Sequence, residues 1–373
     1  MKIKIVLMFF LLCIFSVPAN AANIDEYKKD IYESSGADKL HEFLDEESEE
    51  FLKRTGLDGI DTQAILDFSP SALFSAVTGV FREKWKEPAR ALVSAAGTAI
   101  MISVCTAIVP DDEKSKSVVS LAGACFAVST LFKSVFESVR ACASCVEACV
   151  GFEKLLIPVL TALLTASGKP ASAISYNGAS FFISESVSMI SESVILPVTG
   201  VAAALYLCSG IMPEITFNSV ADVIRKAASY ILSVSAALFS GTIAIKSVIA
   251  SSSDSIGAKA VKLVTSTFVP VVGGALGEAF NSFAGSISLF RNTVGIFGIV
   301  ALGAICIPVL VQTLLWILSM RAASAISEML GCRCCVMIYN GIAYICSMMN
   351  TLLLFCVTVF VISSATVIVV AGG

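Results

Sequence analysis

Charge is scarce in this chain. Lys, Arg, Asp and Glu together make up 14% of its 373 residues, against about a quarter in a typical soluble domain, and that deficit excludes an ordinary cytosolic enzyme. Histidine occurs once, at His41. There is no Walker A loop, no G-x-S-x-G elbow, no H-E-x-x-H helix and no dinucleotide fingerprint. The sequence therefore offers no catalytic or energy-coupling constellation, and the reading is of a non-enzyme with no cofactor and no metal. A concentrated basic patch is also missing, which argues against nucleic acid as a partner. What fills the space is apolar: 56% of residues are hydrophobic and the mean hydropathy is +0.87.

The few charges are unevenly placed. Residues 22–90 hold 16 of the 29 acids and 9 of the 25 bases, and the rest of the chain from 91 onward holds 13 acids and 14 bases. Ahead of them, Lys2 and Lys4 precede an apolar run that ends in Pro18-Ala19-Asn20-Ala21. This pattern reads as a secretory signal peptide over 1–21, with a retained first membrane helix as the alternative. Cleavage would leave an extracytoplasmic N-terminus. Within 22–90 the stripe Leu40, Phe43, Leu44, Phe51 and Leu52 predicts an amphipathic helix, and Asp45 to Glu50 its solvated face. His41 beside that stripe carries no ligand signal. Trp85, between Lys84 and Lys86, reads as an interfacial anchor.

From 91 to 373 the uncharged stretches are 91–110, 117–132, 193–213, 227–245, 292–320 and 334–373. A span needs about 20 residues, so six is the expected count. The second stretch reaches that length only if Lys133 snorkels. Two shorter apolar pieces, 155–168 and 263–276, each contain a proline and read as re-entrant or broken helices. The fold class is accordingly all-α: a polytopic membrane body with about six transmembrane helices, two short broken ones and a small N-terminal helical region. Arg225, Lys226, Arg321 and Arg333 favour a cytoplasmic side for 213–226 and 321–335, whereas Lys246, Lys259, Lys262 and Arg291 oppose it.

Four apolar-Pro-Val triplets suggest an internal parallel repeat. Pro158 and Pro270 lie 112 residues apart, and Pro197 and Pro308 lie 111 apart, which pairs 117–213 with 227–320. Chance recurrence in a Val/Ile-rich sequence is the other reading. In transporter folds such repeats place substrate sites at broken helices. The positions singled out for a pathway are therefore Pro158, Gly168, Glu185, Glu192, Pro270, Gly273, Gly274, Gly277, Glu278 and Arg291. The same charges also suit the boundaries of interfacial helices.

Thirteen cysteines invite a metal or disulfide reading. Cys142, Cys145 and Cys149 share one helix face, and Cys332, Cys334 and Cys335 form a second group. The predicted topology puts the two groups on opposite sides and no histidine completes either, so free thiols are favoured over a zinc or iron–sulfur site. Cys306, Cys346 and Cys356, inside apolar stretches, read as small hydrophobes.

Three segments carry a family resemblance: LLIPVLTALLTASG at 155–168, STFVPVVGG at 266–274 and NTVGIFG at 292–298. With the leader, acidic head and polytopic remainder, their order resembles the stage III sporulation protein AE family of endospore-forming bacteria. The resemblance implies a mother-cell membrane protein, permease-like or export-gate-like, in the apparatus joining mother cell and forespore. It implies as partners the other products of the stage III sporulation A operon, including its ATPase and ring-forming proteins. No catalytic residue comes with it, and its cargo is undefined. A stand-alone secondary transporter of a small solute is the competing function.

Overall fold

In the computed structural model the described residues are 36, 39–57, 59–60, 70–109, 113–211, 217–268 and 273–372. Side chains are described for these except 70, 113, 114, 256–284, 286 and 369–372. The leader at 1–21 and Pro270 lie outside the described residues.

Among the described residues three short helices come first: α1 (Lys39–Glu42), α2 (Glu46–Thr55) and α3 (Pro70–Lys84). Asp45 caps α2 by accepting the Ser48 N–H at 3.0 Å. Arg54 on α2 donates to Glu83 of α3 at 2.6 Å and to Glu50 at 2.8 Å, and Lys84 pairs with Glu47 at 2.8 Å. These hydrogen bonds, the one to Glu83 foremost, raise the Arg54 pKa further. The acidic run is thus exposed but tied to α3. Trp85 is about half exposed at the joint where α3 passes into α4 (Lys86–Ile108).

The body continues with α5 (Glu113–Ala166), α6 (Pro170–Ile190), α7 (Leu196–Ile211), α8 (Phe217–Phe268), α9 (Gly273–Met329) and α10 (Arg333–Gly372). Among the described residues there is no strand. Six helical stretches are long and apolar enough to cross a membrane: Lys86–Ile108, Ser115–Ala166, Pro170–Ile211, Phe217–Ser255, Ile287–Met329 and Arg333–Ile368.

The expected short broken helix at 155–168 is not separate from the stretch before it. It is the last part of α5, a helix of 54 residues and hence about 81 Å long at 1.5 Å per residue. Pro158 sits inside α5 and its ring is exposed. The charges between 133 and 154 interrupt the hydropathy of this segment but not its backbone hydrogen bonding, and that is why it looked like two pieces. At its end, Gly168 takes φ +75. There the Gly168 N–H donates to the Thr165 carbonyl and the Lys169 N–H to the Leu164 carbonyl, both at 3.0 Å, a left-handed cap that turns the chain into α6. Gly331, at φ +69, makes the equivalent turn between α9 and α10.

Pro197 lies just inside α7 and has no N–H to continue the ladder. Directly before it the helix widens into a π-turn at Ser191–Ile195, where the Leu196 N–H reaches the Ser191 carbonyl.

Two clusters of buried apolar side chains run along the bundle. One joins α4, the first part of α5, the end of α9 and the start of α10 around Trp316 and Tyr339. The other joins α5 to α10 and also takes in Leu40, Leu44, Phe51, Leu52, Ala76 and Val80 of α1 to α3. The N-terminal helices therefore share a core with the membrane body. Phe43 packs beside Phe152, and a Cβ at Gly151 would stand 2.7 Å from the Phe43 ring.

Candidate functional site

Burial separates the sequence-derived positions sharply. Glu185 is exposed and pairs with Lys154 at 2.7 Å. Glu192 is exposed within the π-turn, where it accepts the Ser188 hydroxyl at 2.7 Å. Gly273, Gly274, Gly277 and Glu278 form the start of α9, and their side-chain surroundings lie outside the described residues, as does Pro270 altogether. Among those whose side chains are described, Arg291 is the fully buried charge, at 0% exposed. Its Nη2 donates to Ser288 Oγ at 2.7 Å, while Nε and Nη1 find no partner.

Arg291 belongs to a polar group at the α5–α6 turn. Asp254, from α8, accepts the backbone N–H groups of Ala171 and Ser172 at 2.9 Å each, so it caps the positive end of α6. Lys169 interacts with both Arg291 and Asp254. Burial lowers its pKa below the ordinary lysine value, Arg291 lowers it further, and Asp254 opposes both. A second polar group lies along the bundle. Arg225 and Arg321 stack on the Tyr344 ring at 4.7 and 4.8 Å, and the Tyr206 hydroxyl donates to Asp222 at 2.8 Å. Two of the four bases expected in cytoplasmic loops, Arg225 and Arg321, thus converge on one ring.

Sequence reasoning missed Glu153. It lies in the charged stretch 133–154, which reads as interfacial, yet in the fold it is 0% exposed and neither carboxylate oxygen has a hydrogen-bond partner. The signal that would have found it is spacing: Cys145, Cys149 and Glu153 recur every four residues on the same face of α5. Ser363 of α10 and Tyr176 of α6 are polar neighbours of Glu153, and Ser180 and Ser363 bond to each other at 3.0 Å.

The same face carries the thiols. Cys306 of α9, read from sequence as an isolated hydrophobe, places its Sγ 3.0 Å from that of Cys149 and 3.8 Å from that of Cys145. Cys356 and Cys346 of α10 adjoin Cys149 and Cys142. The Sγ atoms of Cys145, Cys149 and Cys306 all lie within 4.8 Å of one another, and so do those of Cys332, Cys334 and Cys335. Either trio has the donor type for a soft metal, and the first has Cys356 adjacent as a further thiol. As neutral thiols both pack as small hydrophobes. The second trio borders an open cleft of 1070 Å³ lined by Lys116, Ser120 and Arg333.

These features define a polytopic helical membrane protein with buried polar groups and no recognisable catalytic constellation. A family model described as Stage III sporulation protein AE matches residues 61–372. The chain belongs to that family of sporulation proteins, which is not a known enzyme family. The chain is 26% identical over 232 residues to Stage III sporulation protein AE of Bacillus subtilis (strain 168), a match covering 61% of this chain and 57% of that relative. It therefore spans little more than half the length of the curated relative it matches. No solved structure matches.

Proposed function

We propose that the chain is a non-enzymatic membrane subunit, permease-like or export-gate-like, of the channel or secretion-like complex linking mother cell and forespore during sporulation. The observation that carries this reading is membership of the stage III sporulation protein AE family over a body of six membrane-length helices. In this reading the protein sits in the mother-cell membrane with residues 22–90 outside the cytoplasm after removal of the leader. Residues 91–373 form the conduit or its scaffold. The other products of the stage III sporulation A operon supply what the sequence lacks, its ATPase providing energy and its ring-forming proteins the path across the intermembrane space.

The test is affinity purification of the full chain from sporulating cells, paired with reconstitution of the isolated chain in liposomes. Co-purification of the ATPase and ring proteins, with no solute flux from the isolated chain, is the expected result. Robust flux without partners would overturn this reading in favour of a stand-alone secondary transporter.

A further inference from the structure

A carboxylate removed from water costs several kcal/mol unless it is paired or neutralised, and Glu153 is fully buried with both oxygens unpartnered. Among the described residues no basic side chain interacts with it. Arg291, the buried cation of α9, stands instead at the α5–α6 turn with Lys169 and Asp254. The titratable groups that do face Glu153 are Tyr176 from α6 and Cys356 from α10, neither of which supplies positive charge.

What surrounds the carboxylate is hydroxyl oxygen. The Lys154–Glu185 pair ties α5 to α6 next to Glu153 in the chain, and Ser184 is buried on the inner face of α6. Tyr176 and Ser180 follow at one-turn intervals on the same face of α6. From α10 come Ser363, bonded to Ser180 at 3.0 Å, and Ser364 next to it in the chain. The Tyr176 hydroxyl, Ser184 Oγ and Ser364 Oγ are buried without partners, like the carboxylate itself. Unsatisfied buried oxygens are rare in folded proteins, and several of them sharing one interface call for a ligand that accepts their lone pairs.

Beside this interface lies a crevice of about 20 Å³ between α5, α6, α8 and α10, whose lining includes Tyr176, Ser180, Lys246, Ser247 and Thr366. Lys246 is exposed. That volume admits one water-sized particle.

We propose that Glu153, with the hydroxyls of Tyr176, Ser180, Ser184 and Ser363, is a binding site for one monovalent cation, Na+ or a proton, entered through the crevice beside Lys246. A single carboxylate among neutral hydroxyls balances one positive charge and no more. The donors are hard oxygens, unlike the soft thiols further along α5. In a membrane-spanning helix such a group marks an ion pathway, so a cation gradient acts on this subunit whichever partners it has.

Dicyclohexylcarbodiimide tests this on the purified full chain in detergent, so that failure here leaves the proposed complex untouched. The apolar reagent adds a protonated carboxyl across one C=N bond, the acid proton passing to nitrogen and the carboxyl oxygen to the central carbon, before the acyl group shifts to nitrogen. Peptide mapping should find Glu153 modified ahead of the exposed Glu185 and Glu192. If Na+ is the ligand, NaCl in place of choline chloride at ten times its Kd should slow the reaction about tenfold. If a proton is, Na+ should have no effect and the rate should fall about tenfold per pH unit above the titration of the site.

Either pattern supports the site. A Glu153 that stays unmodified, or reacts at a rate indifferent to both Na+ and pH, overturns it. The same cation should raise the melting temperature of the native chain and not of Glu153→Gln, which removes a buried charge and keeps the shape. Should that variant fail to fold, Ser363→Ala, which keeps the carboxylate, should weaken protection several-fold; unchanged protection there would count against the hydroxyl shell.

Discussion

Asp254 holds two backbone N–H groups of α6 from a helix distant in sequence, so its removal takes the acceptor from both donors. Asp254→Ala should cost about 1–2 kcal/mol, read as a lower melting temperature in detergent, with Asp254→Asn recovering part. Gly168→Ala tests the same turn differently. No atom lies within 4 Å of the added Cβ, so the expected loss, about 1–2 kcal/mol, is that of a left-handed backbone alone. Lys169 beside it carries a pH signature. Its pKa is lowered in the folded state, so the fold binds this proton less tightly than the unfolded chain does. The penalty is full at neutral pH and is relieved as pH rises toward the unfolded lysine value. Lys169→Gln should therefore raise the melting temperature near pH 7, and the gain should shrink in alkaline buffer. Thiol reactivity supplies a further check: Cys105, Cys125 and Cys208 are exposed and the other nine cysteines in the described residues are buried. Alkylation of the native protein should stop at the exposed three until denaturant is added.

The helices were legible because an apolar run of membrane length has few alternatives to helix, and each of the six expected spans overlaps one of the six membrane-length helical stretches. Their ends were less legible. Hydropathy breaks at Lys133, Glu137, Arg140, Glu147 and Lys154, but α5 runs through all five because no glycine or proline there interrupts its ladder until Gly151 and Pro158, and neither stops it. The site suffered from the same substitution of charge for geometry. Glu185 and Glu192 were conspicuous in sequence and prove to be exposed, whereas Glu153 was hidden among other charges and only packing turns it inward. Cys306 joining Cys149 is a contact between helices that no spacing rule announces. Among the elements, α1 against α5 is the joint most open to test. Gly151→Val should displace the Phe43 ring and loosen α1 and α2, seen as faster tryptic cleavage at Lys53 and Arg54 with the rest of the chain still protected.

At the scale of the whole molecule, the larger apolar cluster extends from α1 to α3 into the later helices. Leu40, Leu44, Phe51, Leu52 and Leu57 are buried in the larger cluster together with α5 to α10, and each such side chain contributes about 1.5–3 kcal/mol on burial. The proposed division at residue 90 is thus one of composition and membrane placement, with a common core across it. A chain beginning after residue 57 should be recovered in lower yield and melt earlier than the full chain. The length of α5 has a further consequence. Ala124, Ala127 and Leu131 lie in the smaller cluster and Cys142 to Leu164 in the larger, so one unbroken helix is anchored at both. It acts as a stiff rod: a tilt imposed beside the cleft at Cys332 and Cys334 must reappear, with leverage, where Glu153 meets α6 and α10.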